Sequence, residues 1–168
     1  MNAIEAQLAQ LPMGLEVPKN NLNHPDIRLF QADSTTLQVL EKNSIDLLVI
    51  SPPYNLGKAY TGNVADDSLD YNDYMQFTEK WLANCFAWVK NTGRLCVNVP
   101  IDKNKFGKRP PAADLIATAM QIGWKYHATI VWNEGTISRR TAWGSWKSAS
   151  APHVISPVAL IIVFYKGA

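Results

Sequence analysis

Cysteine is scarce in this chain, with two among 168 residues, Cys85 and Cys96. Two thiols in apolar surroundings make no disulfide framework. They read as core thiols of a reducing compartment, so a cytoplasmic location is expected. Long hydrophobic runs are absent. Leu47 to Ile50 and Val158 to Tyr165 fall far short of the roughly 20 residues that cross a bilayer, and no membrane partner is expected. Met1 to Gln10 lacks a basic stretch followed by an apolar one, the pattern of a secretory signal. His24, His127 and His153 lie far apart with no cysteine or carboxylate at ligand spacing, which argues against a metal site. No charge of one sign dominates. The 16 basic and 14 acidic residues leave +2, too little to argue for nucleic acid by itself.

What is present suits one domain. At this length folding buries roughly 68–70% of the unfolded surface, and 47% of the residues are apolar. The basic residues are clustered. Lys103, Lys105, Lys108 and Arg109 form one group, and Arg139, Arg140 and Lys147 another. Basic groups in loops touch phosphates or simply face water.

Residues 1–26 read as an arm of uncertain structure, broken by Pro12, Pro18 and Pro25. Residues 27–168 read as the domain. Ile27 to Gln31 is a strand candidate, and the Leu37/Leu40 spacing predicts a helix over Thr35 to Lys42. Asp46 to Ile50 has the unbroken apolar pattern of a strand buried on both faces. Residues 55–70, polar and glycine-containing, predict a mobile loop. Tyr71 to Asn91 is the clearest helix, with Tyr74, Phe77, Trp81, Cys85 and Val89 on one stripe. Arg94 to Val99 predicts a strand, and Pro110-Pro111 opens a helix closed near Gly123. Tyr126 to Trp132 and Ala159 to Tyr165 complete the strands. This alternation predicts an α/β fold, a mostly parallel sheet in three αβα layers with helices on both faces.

Ser51-Pro52-Pro53-Tyr54-Asn55 directly follows a buried strand. In open α/β sheets, ligands bind beyond the carboxyl ends of strands. Two prolines stiffen the turn and remove two N–H donors. A hydroxyl, carbonyl oxygens and an aromatic ring remain. That set accepts hydrogen bonds from an amino group and stacks on a planar base.

The stretch resembles the Ser-Pro-Pro-Tyr signature of S-adenosylmethionine-dependent DNA amino-methyltransferases. Phe30-Gln31-Ala32-Asp33 and Asn91-Thr92-Gly93-Arg94-Leu95 resemble family steps around it. Ile130 to Asn133, Thr141 to Trp146 and Ile161 to Lys166 resemble the later segments. The resemblance runs over about residues 27–167. It implies a partial Rossmann-like methyltransferase sheet, S-adenosylmethionine as cofactor, DNA as partner, and a role in DNA methylation or restriction-modification. A motif beginning with Ser is more typical of cytosine-N4 enzymes, while Asp or Asn is usual in adenine-N6 enzymes. It further implies Ser51, Pro52, Pro53 and Tyr54 as the catalytic set, with Ser51 Oγ and the Pro52 carbonyl accepting from the base amino group and Tyr54 stacking. Asp33, Ser51, Pro52 and Asn55 face the cofactor in this reading. Asp33 also reads as a helix N-cap, and Asn55 as a simple turn residue. Arg139, Arg140 and Lys147 would meet phosphates. Trp143 and Trp146 would line the base pocket or anchor their loop.

Such enzymes carry a Phe-x-Gly-x-Gly loop for the cofactor, and none of the nine glycines here forms one. In permuted members that loop lies downstream, so the chain reads as the catalytic half of a split or truncated enzyme. The family topology would then leave Leu47 to Ile50 as an open apolar edge. A second polypeptide carrying the glycine loop, or a homodimer through that edge, would cover it. A non-catalytic DNA-binding or scaffold fragment of a broken gene is the alternative.

Overall fold

The computed structural model describes Phe30, residues 32–36, 40–55, 67–101, 110–133 and 158–167. Four strands and two helices are placed there: β1 (Ile45–Ile50), α1 (Tyr71–Trp88), β2 (Val89–Pro100), α2 (Pro111–Ile122), β3 (Lys125–Asn133) and β4 (Val158–Tyr165). The sheet order is β1-β2-β4-β3. β1 and β2 pair in parallel, whereas β4 runs antiparallel to both of its neighbours. Three of the four strands thus point the same way, with β4 reversed between β2 and β3.

Local chemistry sets the helix bounds. Asp70 caps α1 by accepting from the Asn72 N–H at 2.9 Å. The expected end at Asn91 is corrected to Trp88, because tertiary bonds take over the last turn. Backbone N–H groups of Asn43 and Ser44 donate to the carbonyls of Ala87 and Trp88. Lys166 Nζ donates to the carbonyls of Phe86 and Val89 and to Asn43 Oδ1. A cation at a helix C-terminus is favoured by the helix dipole. Val89 then turns extended and pairs with Ile45. Pro111 opens α2, and Gly123, at φ 120°, closes it with its N–H on Ala119 and Met120.

Both helices pack on one face of the sheet. Leu82, Cys85, Leu115 and Ala119 join Leu95, Val97, Ile162 and Phe164 in a single core. The register pairs Leu95 with Phe164 and Val97 with Ile162, so these four share that face. Alternation puts Leu47, Val49, Cys96, Val163, Ile130 and Trp132 on the other. Leu47 is 55% exposed, Val49 72%, Ile130 55% and Trp132 54%. Among the described residues no helix covers this face. Of the expected three layers, the described residues show the sheet and one helical layer. β1 and β3 are the two edge strands of the described sheet.

Of the helix expected over Thr35 to Lys42, residues 37–39 lie outside the described residues, and Thr35 and Thr36 form a turn. Asp33 Oδ1 accepts from both the N–H and the hydroxyl of Thr35 at 2.8 Å, and Thr36 N–H donates to the Asp33 carbonyl. This Asx-type turn competes with helix formation. Of the strand expected at 27–31 only Phe30, at an isolated bridge, is described. Residues 1–26, 37–39 and 56–66 lie outside the described residues, as do 102–109 and 134–157.

Burial pushes the Cys85 thiol up to about 12 from its usual value near 9. The folded state therefore holds the proton more tightly than the unfolded chain. The resulting stability is full below pH 9 and is lost as the pH rises from 9 to 12. Urea unfolding should show a falling midpoint across that window, and Cys85→Ala should flatten the fall although it lowers the midpoint at pH 7.

Candidate functional site

The carboxyl end of β1 delivers the chain into Ser51-Pro52-Pro53-Tyr54-Asn55. Ser51 is exposed, and its Oγ lies 2.6 Å from the Tyr54 hydroxyl. The Tyr54 ring is thus folded back over the turn, and its hydroxyl meets the expected acceptor. A serine oxygen has two lone pairs. One stays available whichever hydroxyl donates.

A segment from before α1 braces the turn from below. Asp67 Oδ1 accepts from the Asn55 N–H at 2.6 Å, and Asn55 Nδ2 donates to the Leu69 carbonyl at 2.9 Å. Tyr74, on the first turn of α1, donates its hydroxyl to the Pro53 carbonyl at 3.1 Å. Asn55 holds φ 55°, a left-handed conformation that asparagine tolerates better than most residues. Burial, helped by the nearby Asp67 charge, raises the Tyr74 hydroxyl above the usual tyrosine value. It stays a proton donor at neutral pH.

Sequence reasoning missed this brace. Asp67 falls in the expected mobile loop, yet it is 2% exposed. Tyr74 reads as one more residue of an apolar stripe, and its hydroxyl contact crosses 21 positions. A buried-side tyrosine facing a proline carbonyl leaves no periodic signal.

Asn98 is a second residue the sequence does not single out. It lies one register step beyond the Ile50–Val97 pair, alongside the start of the turn. Its Oδ1 is buried without a hydrogen-bond partner among the described residues. Buried acceptors of that kind are nearly always bonded when their site is complete.

Asp33 is exposed. Its Oδ1 closes the Asx turn, and Asn84 of α1 ties the adjacent Ser34 carbonyl at 2.8 Å. The Asp33 carboxylate thus holds its own turn. Arg139, Arg140, Trp143, Trp146 and Lys147 lie outside the described residues. Among the described residues no cluster of three or more His, Cys, Asp or Glu is placed to hold a metal ion. No helix there is long and apolar enough to cross a membrane.

The cavity beneath the turn, about 160 Å³, is lined by Pro53, Asn55, Asp67, Leu69, Tyr74 and Phe77. Small-molecule pockets run to roughly 300–1,000 Å³, so no nucleoside fits inside it. Ser51 lies outside this lining and is exposed. Ser51 Oγ, on an exposed residue, is an acceptor suited to an amino group.

A family model for DNA methylase, of the N6 and N4 type, matches residues 45–168, so the earlier segment around Asp33 falls outside the match. The type II methyltransferase M.MjaVI of Methanocaldococcus jannaschii is 53% identical over 127 residues, 76% of this chain and 64% of that one. Two solved structures share the fold. The PvuII DNA methyltransferase (cytosine-N4-specific) superposes with a TM-score of 0.55 at 18% identity, over 80% of this chain and 47% of that one. A DNA modification methylase of Thermus thermophilus, TTHA0409, complexed with S-adenosyl-L-methionine, gives 0.54 at 19% identity, over 77% and 49%. The chain spans about half the length of these two structures and under two thirds of the M.MjaVI relative.

Proposed function

The chain belongs to the N6/N4 DNA methylase family, and from that membership we propose that it is the catalytic half of a DNA methyltransferase. Its target is the exocyclic amino group of a flipped base, cytosine N4 in preference to adenine N6. The observation that carries the reading is the exposed Ser51 hydroxyl at the carboxyl end of β1, on a Pro-Pro turn braced by Tyr74.

An aromatic amino nitrogen is a poor nucleophile because its lone pair is conjugated with the ring. Acceptors on its two protons favour a pyramidal nitrogen and stabilise the positive charge that develops there. Ser51 Oγ is one acceptor. Tyr74 occupies the Pro53 carbonyl, so Pro52 supplies the other. Tyr54 swings from Ser51 to stack on the base, which has left the duplex. S-adenosylmethionine, when bound, supplies the methyl group. Asp33, Ser51, Pro52 and Asn55 are the residues assigned to hold it, with Asn98 added from the structure. Arg139, Arg140 and Lys147 are assigned to phosphates, and Trp143 and Trp146 to the base pocket. The initial Ser of the motif supports the cytosine preference.

A second polypeptide completes the site in this reading. It pairs with the edge of β1 that is open among the described residues, covers Leu47 and Val49, and brings the glycine loop. The support is the exposed apolar face of β1, an edge strand among the described residues, a surface that invites pairing.

The test is to purify the tagged chain from its source cells, identify what accompanies it, and assay labelled methyl transfer to DNA and to RNA. The expected result is a heteromeric assembly that leaves N4-methylcytosine in DNA. A chain that comes down alone or as a homodimer, and methylates nothing, would favour the fragment alternative. Methylation of RNA alone would overturn the DNA assignment.

A further inference from the structure

We propose that Asp67 is the positioning residue of the Ser51–Asn55 turn. It acts on the reacting groups only through the backbone it holds. The inference rests on the methyltransferase reading and assigns a residue which that reading leaves idle.

A carboxylate at 2% exposure is uncommon, since burying one costs free energy unless its oxygens are bonded. This one is aimed at the turn. Oδ1 takes the N–H of Asn55 at 2.6 Å, a close contact to a charged acceptor. Asn55 is the residue in the left-handed conformation. Its amide is therefore fixed where the turn is least stable by itself. The Asn55 side chain anchors to Leu69, two residues beyond Asp67, and the Tyr74 hydroxyl holds the Pro53 carbonyl.

Together these bonds clamp the peptide groups on both sides of Tyr54. Upstream, the proline rings already restrict φ at Pro52 and Pro53. Little freedom is left in the direction of the Pro52 carbonyl or the height of Ser51. The clamp is itself braced, because Asp70 of the same segment caps α1. Misplacing a reacting group by about 1 Å costs on the order of 100-fold in rate. A rigid turn thus needs a rigid underside, and Asp67 is its polar anchor.

The test uses the full chain in the assembly that accompanies it from its source cells. Asp67→Ala should lower kcat for methyl transfer to DNA about 10- to 100-fold, with KM for DNA within about threefold of wild type. Amide hydrogen exchange at Asn55 should quicken at least about tenfold, while Leu82 in the core keeps its rate. Asp67→Asn keeps an acceptor oxygen and should return kcat to within about fivefold of wild type.

Should Asp67→Ala fail to fold, Tyr74→Phe takes away the hydroxyl that holds the Pro53 carbonyl and should lower kcat with KM unchanged. Equal loss in Asp67→Ala and Asp67→Asn would overturn the proposal, because the charge and not the acceptor would then matter. So would unchanged kcat in Asp67→Ala, or faster exchange at Leu82 together with Asn55, which marks general loosening. A wild-type assembly that transfers no methyl group to DNA removes the methyltransferase reading and the positioning role with it. Faster exchange at Asn55 in Asp67→Ala would still show the clamp in that case, so the two failures are told apart.

Discussion

Replacing Ser51 by Ala should reduce kcat for DNA methylation roughly 100- to 1,000-fold, the scale seen when one preorganised hydrogen-bonding group is removed from a charge-stabilising site. That corresponds to about 2.7–4 kcal/mol of transition-state stabilisation. The loss should fall on kcat and not on DNA retention, because Ser51 meets the amino group only after the base has left the duplex. Filter retention and labelled-methyl incorporation on the same preparation separate the two quantities. Two further variants sharpen the test. Ser51→Asp keeps an acceptor and should retain more activity than Ser51→Ala. Tyr54→Phe deletes the hydroxyl that lies 2.6 Å from Ser51 Oγ but keeps the ring, so it should cost less than about tenfold if stacking is what the ring does. Activity in Ser51→Ala within about threefold of wild type would sink the assigned role of Ser51.

The elements that lay in plain view were those with local causes. The apolar run at Ile45–Ile50, the stripe of α1, the Pro-Pro opening of α2 and the run at Val158–Tyr165 each carry a local pattern, although β1 leaves Leu47 and Val49 exposed among the described residues where its pattern predicts burial on both faces. The placement of the Ser51–Asn55 turn at a strand end followed from the same reading. What stayed hidden depends on partners far along the chain. α1 stops at Trp88 because Asn43, Ser44 and Lys166 capture its last carbonyls, and nothing near Trp88 announces it. Both helices sit on one face because their stripes meet a shared core, a choice that amphipathic spacing leaves open. Asp67 is the sharpest case. A single acid in a polar stretch has no periodicity, and only the path of the chain back beneath Asn55 gives it a role.

The largest stability effect should come from Trp124→Ala, about 3–5 kcal/mol, the usual range for emptying a buried aromatic site. Trp124 is 2% exposed. Its ring stands edge-on to Phe86 at 5.2 Å and lies 6.4 Å from Phe164, so it links α1 to β4. Its Nε1 donates to the Leu82 carbonyl at 3.3 Å. The backbone of Gly123 turns Trp124 into this place, and the Trp124 N–H closes α2 on Ala119. Removing the ring therefore empties the junction of both helices and the sheet at once. Domains hold only about 5–15 kcal/mol in all, so urea unfolding should show a midpoint cut by about a fifth or more. Trp124→Phe keeps most of the volume and should cost clearly less, since it loses the Nε1 bond and part of the ring contact. The consequence reaches the site, because α1 carries Tyr74 and is capped by the segment that holds Asp67. At temperatures where Trp124→Ala is still folded, amide exchange at Asn55 should already be faster than in wild type. A midpoint shift worth less than about 1 kcal/mol would mean that this junction repacks freely. The link from core to turn would then be absent.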